Sequence, residues 1–382
     1  MGLREATGAA RWARAARLER AARAGRTVAL VLAAAAIPHL LGRPAAAQLL
    51  IASADGGTTL DLGAIAQVQG EATDNGNGGG RALNLFFRRV RLEGALASGN
   101  LSVFFETDSG TLGKGNPDGT KQTANGLAFL DFAVTYGFAR EFKLDGGLIR
   151  LAPTYTHNQV ASSTLALDIS PYAYVESAPL ATNSGRDYGV QARGLLAEHL
   201  EYRLGAFQGL RGRDETNPPR VSGRLAWYVF GPEEGLYYRG TSLGKLRTLS
   251  FGAGFDTQKT YKNTNFDVYW DQPVHGGDGL TFELDHSWYD GHDFLAALPK
   301  QTTTLAEIGY YVRAVKLLPF FQFAQQKFAA GVAQPSERRF QLGAGYYFHG
   351  YNSNLKLAWT RIDRDRVGWL NDAVLQYQFY VF

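Results

Sequence analysis

Histidine is the first residue type to test for chemistry, because imidazole serves both metal binding and proton transfer. The chain carries seven, at His39, His157, His199, His275, His286, His292 and His349. None stands in an H-E-x-x-H or similar metal spacing. The stretch SWYDGHD could gather Asp290, His292 and Asp293, but a solvated loop tip explains that composition better. No G-x-S-x-G elbow offers a nucleophile, and NGNGGG at 75–80 lacks the G-K-[ST] of a phosphate cradle. RIDRDR at 361–366 reads as a solvated hairpin of mixed charge. Without cysteine there is no haem-type C-x-x-C-H and no disulfide. The residues point away from an enzyme and call for no cofactor or metal.

The other chemistry-bearing residues are arginines in an unusual place. NLFFRRVRLEGALA, residues 84–97, has the aromatic and β-branched content of a strand yet holds Arg88, Arg89 and Arg91. Arg89, Arg91 and Glu93 share one parity and Val90 and Leu92 the other, so one face can be wet and the other apolar. Arg88 falls on the apolar parity, where it must lie near an interface, snorkel or meet a neighbouring subunit.

What must position these residues is legible in composition. The 382 residues include 45 Gly, 23 Phe, 19 Tyr and 6 Trp, which suits many short strands. Residues 1–47 differ from the rest. Eight arginines precede or flank the apolar run VALVLAAAAIPHLL (28–41), and GRPAAAQ follows with a small-x-small site before Gln48. This is the order of a secretory signal peptide, and the apolar run is shorter than the ~20 residues of a spanning helix. Taking its eight arginines and two glutamates from 39 basic and 35 acidic residues leaves 31 against 33. The basicity belongs to the leader and argues against a nucleic-acid partner.

Over residues 48–382, segments of about ten residues alternate apolar with polar or small side chains. In TLSFGAGFDTQ, Leu249, Phe251, Ala253 and Phe255 oppose Thr248, Ser250, Gly252, Gly254 and Asp256. Sixteen such segments are expected, centred near Ile65, Arg89, Phe104, Val134, Gly147, Val190, Gly205, Leu225, Ala253, Val268, Leu284, Gly309, Phe323, Gly345, Leu357 and Tyr377. Connections after even-numbered segments are mostly tight, with one longer turn, GPEEGLYYRGTSLGK (231–245). Those after odd-numbered segments run longer, the longest at about 152–185. The fold class is therefore all-β: a transmembrane antiparallel β-barrel of about 16 strands in the bacterial outer membrane, turns inside and loops outside. Sixteen strands predict an aqueous lumen. The last strand ends in the aromatic Phe382, with its facing unassigned.

If the polar parity faces the lumen, Arg89, Arg91, Glu93, Lys143, Arg193, Arg203, Arg224, Arg313, Arg339 and Lys356 line the pore. Asp145, Asp187, Glu201, Asp267, Glu283, Asp285 and Glu307 join them, leaving inward charge nearly balanced.

The ordered set FFRRVRLEGALASGNLSVFFETD, LDGGLIRLAP, GRDYGVQARG, LEYRLGAFQG, NLKLAWTRID and LQYQFYVF resembles the phosphate-selective porins O and P. It covers roughly residues 60–382. The resemblance implies a sixteen-stranded homotrimer whose third outer loop folds into the pore. On that loop or at its edge, Arg150, Tyr155, His157, Asp168, Tyr172, Tyr174 and Glu176 become constriction candidates. Arg150 stands where the family carries a lysine, and LAP replaces the family's acidic EP. The resemblance also implies that the barrel-assembly machinery reads the C-terminal strand. The expected function is passive diffusion of small hydrophilic solutes or ions, with anions such as phosphate permitted rather than required by the charge balance. The alternatives are a structural sheath or interaction barrel and, further off, an outer-membrane enzyme.

Overall fold

The computed structural model describes residues 49–74, 80–116, 120–123 and 126–382. The expected signal peptide lies outside the described residues. The strands are β1 (Leu49–Ala52), β2 (Thr58–Asp74), β3 (Arg81–Ser98), β4 (Leu101–Asp108), β5 (Ala128–Gly137), β6 (Lys143–Arg150), β7 (Arg186–Leu196) and β8 (Leu200–Phe207). Next come β9 (Arg220–Phe230), β10 (Thr248–Gln258), β11 (Tyr261–Pro273), β12 (Gly279–Asp290) and β13 (Gln301–Tyr311). The last four are β14 (Leu317–Phe328), β15 (Glu337–Tyr351), β16 (Ser353–Arg364) and β17 (Gly368–Val381). Each expected segment centre falls in one of β2–β17.

Consecutive strands pair antiparallel, and β17 closes on β2 from Asp372↔Thr73 to Val381↔Ala64. Short β1 pairs with β2 below that closure, from Leu49↔Leu62 to Ala52↔Thr59. Closure leaves no edge, which a sheet in hydrocarbon requires because each unpaired backbone group there costs several kcal/mol. No helix among the described residues is long and apolar enough to cross a membrane. The strands make the crossing.

The exterior suits lipid. Leu92, Val190, Leu204, Leu225, Phe251, Leu342 and Leu357 are exposed around the middle. Tyr136, Trp227, Tyr310 and Tyr346 mark the turn end, while Tyr188, Trp288 and Trp369 mark the loop end. Two aromatic girdles flanking an apolar band are the signature of outer-membrane barrels. In β17, Val374, Gln376 and Gln378 face inward and Phe379 outward. The ring of Phe382 turns in towards Phe104, at 6.3 Å.

Two connections at the loop end are shorter than expected. Lys259 and Thr260 alone join β10 to β11, and residues 365–367 join β16 to β17. Lys259 and Arg366 adopt φ of 52° and 68°, the left-handed conformation of tight hairpins.

Two connections occupy the lumen, one of them the third loop that was expected there. The long segment between β6 and β7 (151–185), called L3 below, folds inward. So does the turn between β9 and β10 (231–247), called the arm. Leu165, Ala166 and Leu167 of L3 and Leu243 of the arm pack with Leu318, Phe320, Tyr347, Ala358 and Val374 of the wall. The core of the molecule therefore lies inside the barrel.

Candidate functional site

Arg88 explains how the site is built. Gln67 pairs with Arg89 and Val68 with Phe87, so Arg88 is the extra residue of a β-bulge. The bulge resets the parity: Leu83, Leu85 and Phe87 face out before it, and Leu92 after it. Arg88 is thus removed from the lipid face, where charge at mid-membrane would cost about 2–4 kcal/mol. Both neighbours converge on one L3 carboxylate, Arg88 on Oδ2 and Arg89 on Oδ1 of Asp168, each at 2.5 Å. Burial opposes ionisation of Asp168, but the two guanidiniums override it and hold its carboxyl well below the usual range.

Above L3 lies a cavity of about 490 Å³. Its walls carry Arg88, Arg89, Arg91, Arg150, Arg186, Arg339 and Lys114, against Glu71, Asp108, Asp168 and Asp372. Most of these cations are paired. Arg91 meets Glu106 at 2.6 Å and Asp108 at 3.0 Å, Lys114 meets Glu71 at 3.0 Å, and Arg186 meets Asp131 at 2.9 Å. Arg339 pairs with Glu337 at 2.6 Å. Arg150 is different. It donates from Nη1 to the Gln159 carbonyl at 2.5 Å and lies over the Tyr237 ring, with no ion pair among the described residues. It lines the cavity, with Asp131 within its electrostatic reach.

The other constriction candidates divide into two groups. Tyr174 lines the cavity and donates to the His157 carbonyl at 2.9 Å, and Tyr172 donates to Glu337 at 2.5 Å. Tyr155, His157 and Glu176 are buried packing instead. Tyr155 stacks between Tyr238 and Tyr269 at 4.7 and 3.9 Å, and His157 Nδ1 shares a 2.7 Å hydrogen bond with Thr154. Glu176 lies 3.9 Å from Arg220.

The remaining pore-wall expectations land on the lumen face, but mostly beneath L3 or the arm. Arg193 and Arg203 bind Asp145 and Glu201 through Nε and turn their Nη groups to arm carbonyls. Lys143 reaches the Glu234 carbonyl at 3.4 Å. Arg224 pairs with Asp267 and lies over Gly252, where a Cβ would collide with its guanidinium at 2.0 Å. Lys356 donates to the carbonyls of Thr164 and Ala166 at 2.6 Å. Glu93, Asp187 and Asp285 are buried on the same inward face. Glu283 accepts from Thr156 and Gln159 at 2.5 Å, and Glu307 from Gln322 at 2.9 Å. Arg313 is a correction. It sits exposed in the turn after β13, because that strand stops at Tyr311.

Sequence parity missed Arg88, Arg186 and Arg220 and the arm residues Tyr237 and Tyr238. The failed parity at Arg88 was itself a signal for a bulge, and the length of the 231–245 turn was one for the arm. Around the proposed loop tip, His292 and Asp290 lie 3.4 Å apart, with His292 exposed and Asp290 half-buried. No cluster of three or more metal-ligand side chains occurs among the described residues.

No family model matches the chain, and no curated protein does. Among solved structures it is similar to the outer membrane channel DcaP of Acinetobacter baumannii, at 12% identity and TM-score 0.55 over 86% of this chain and 99% of that one. It is also similar to a loop L8 deletion mutant of OmpT, an outer membrane protein of Vibrio cholerae, at 11% identity and TM-score 0.54 over 85% and 99%. Pseudomonas putida OprB matches at 10% identity and TM-score 0.50 over 85% and 93%. At these identities the likeness is one of fold, and the fold is that of bacterial outer-membrane barrels.

Proposed function

We propose that this chain is an outer-membrane porin for passive diffusion of small hydrophilic solutes, with anions favoured at its outer vestibule. The observation that carries the reading is the vestibule wall, which is lined by seven basic and four acidic side chains and where Arg150 makes no ion pair among the described residues. Basic side chains that face a low-dielectric mouth without an ion-pair partner attract counter-ions. Kinship with the phosphate-selective porins, a homotrimer, removal of residues 1–47 on export and reading of the last strand by the assembly machinery belong to the same reading. The removal rests on the order of residues 1–47 and the others on the sequence resemblance.

Single-channel recording of the refolded protein in planar bilayers tests the proposal. Discrete conductance steps are expected. Their complete absence from a correctly folded barrel would leave the structural or interaction role as the better account.

A further inference from the structure

The arm is unusual for the turn end of a barrel, where connections are ordinarily short. It enters the lumen and adds itself to L3 as a strand would. Tyr238 N–H donates to the Asn158 carbonyl and Val160 N–H to the Tyr238 carbonyl, both at 2.9 Å, and Thr241 N–H reaches the Ser163 carbonyl at 3.0 Å. Gly240 permits this approach, since a Cβ there would lie 2.4 Å from the Ser163 carbonyl oxygen. The Tyr238 hydroxyl donates to Glu201 at 2.7 Å, and Thr241 Oγ1 sits 2.8 Å from Thr281 Oγ1 on β12.

Part of the grip on the arm comes from pore-wall cations. Arg193 donates to the Glu234 carbonyl at 3.0 Å, and Arg203 to those of Leu236 and Gly235 at 2.8 and 2.9 Å. These groups accept no charge in return. Each guanidinium bonds one carboxylate through Nε and spends its other donors on neutral backbone oxygens. Such contacts are individually modest, and water or a permeating anion can replace the carbonyls. The same side chains can therefore either hold the arm or line a passage.

We propose that the arm is a second gate, on the periplasmic side. Withdrawing it frees the Nη groups of Arg193 and Arg203, still paired through Nε with Asp145 and Glu201, to line the inner half of the barrel. The inference rests on the porin reading, and its test separates the two.

The native chain has no cysteine, so introduced thiols report cleanly. Thr281→Cys alone should react with a small thiol reagent in the intact folded barrel, slowly, and several-fold faster when residues 232–246 are replaced by a short Gly-Ser turn. A Thr281→Cys that never reacts with the arm present, yet reacts with it shortened, means a fixed plug and overturns the gate. The pair Thr241→Cys/Thr281→Cys, oxidised, should lose most of its conductance and regain it with reductant. Equal conductance in both redox states also overturns the gate. If thiol reactivity shows the arm moving but no variant conducts, the porin reading fails and the mobile arm stands. Should the shortened barrel not fold, Tyr238→Ala replaces it, with the same expected acceleration.

Discussion

The outer vestibule and the inner half of the lumen use the same residue type to opposite ends. In the vestibule, arginines from β3 and β6 surround a cavity, and Arg150 keeps its charge unpaired. In the inner half, Arg193 and Arg203 spend their donors on the arm, and at the loop end of β9, beside L3, Arg220 is sealed against Asp256 at 2.7 and 2.5 Å. An inward arginine is thus not necessarily a pore arginine. What decides its role is whether another segment occupies the lumen at its height.

Substitutions that respect the difference should separate stability from selectivity. The largest expected effect is at the sealed arginine. Arg220→Gln leaves Asp256 buried without its partner, a loss of about 3–5 kcal/mol for a buried pair. It should appear as a lower temperature of heat-induced unfolding on semi-native gels, with the ion preference of surviving channels unchanged. A large change in selectivity with normal stability would place Arg220 in the open path.

Asp168→Asn comes next. It loosens the clamp by which Arg88 and Arg89 hold L3, costing about 1–3 kcal/mol for the hydrogen bonds weakened, and it exposes two guanidiniums to the vestibule. Greater anion preference together with noisier open-channel current is expected. A shift towards cations would contradict the clamp.

The smallest effect concerns the neck of the arm, where Arg140 donates to Glu234 at 2.9 and 2.7 Å. That hydrogen bond lowers the Glu234 carboxyl from its ordinary value. A carboxylate lowered in the folded state contributes above its unfolded value, about pH 4.3, and the contribution is lost as pH falls through the lower folded value. Acidification below about pH 4 should therefore speed thiol labelling beneath the arm. Arg140→Gln should bring the neutral-pH rate closer to the acid one. Identical rates in the two proteins at every pH would remove the neck pair from the account.

Most of the barrel was legible because alternation reports which side of a sheet a residue faces. Leu249, Phe251 and Phe255 faced lipid as their parity required, and the even strand count followed from the same pattern. Parity says nothing of how far a connection travels, so it could not tell that Arg203 would meet the arm or that Tyr155 would be stacked rather than lining a pore. It also fails across a bulge, where one inserted residue reverses every later assignment, as Arg88 demonstrates. Arg313 was misplaced for a simpler reason: the strand pattern runs just past the last paired residue, Val312.

Reversal potential under a salt gradient, compared between the native chain and Arg150→Gln, tests the central claim most directly. The vestibule account predicts anion preference in the native channel and a clear move towards cations in the variant, with folding unaffected. A native channel that prefers cations, or a variant indistinguishable from it, would contradict a vestibule whose selectivity rests on an unpaired arginine.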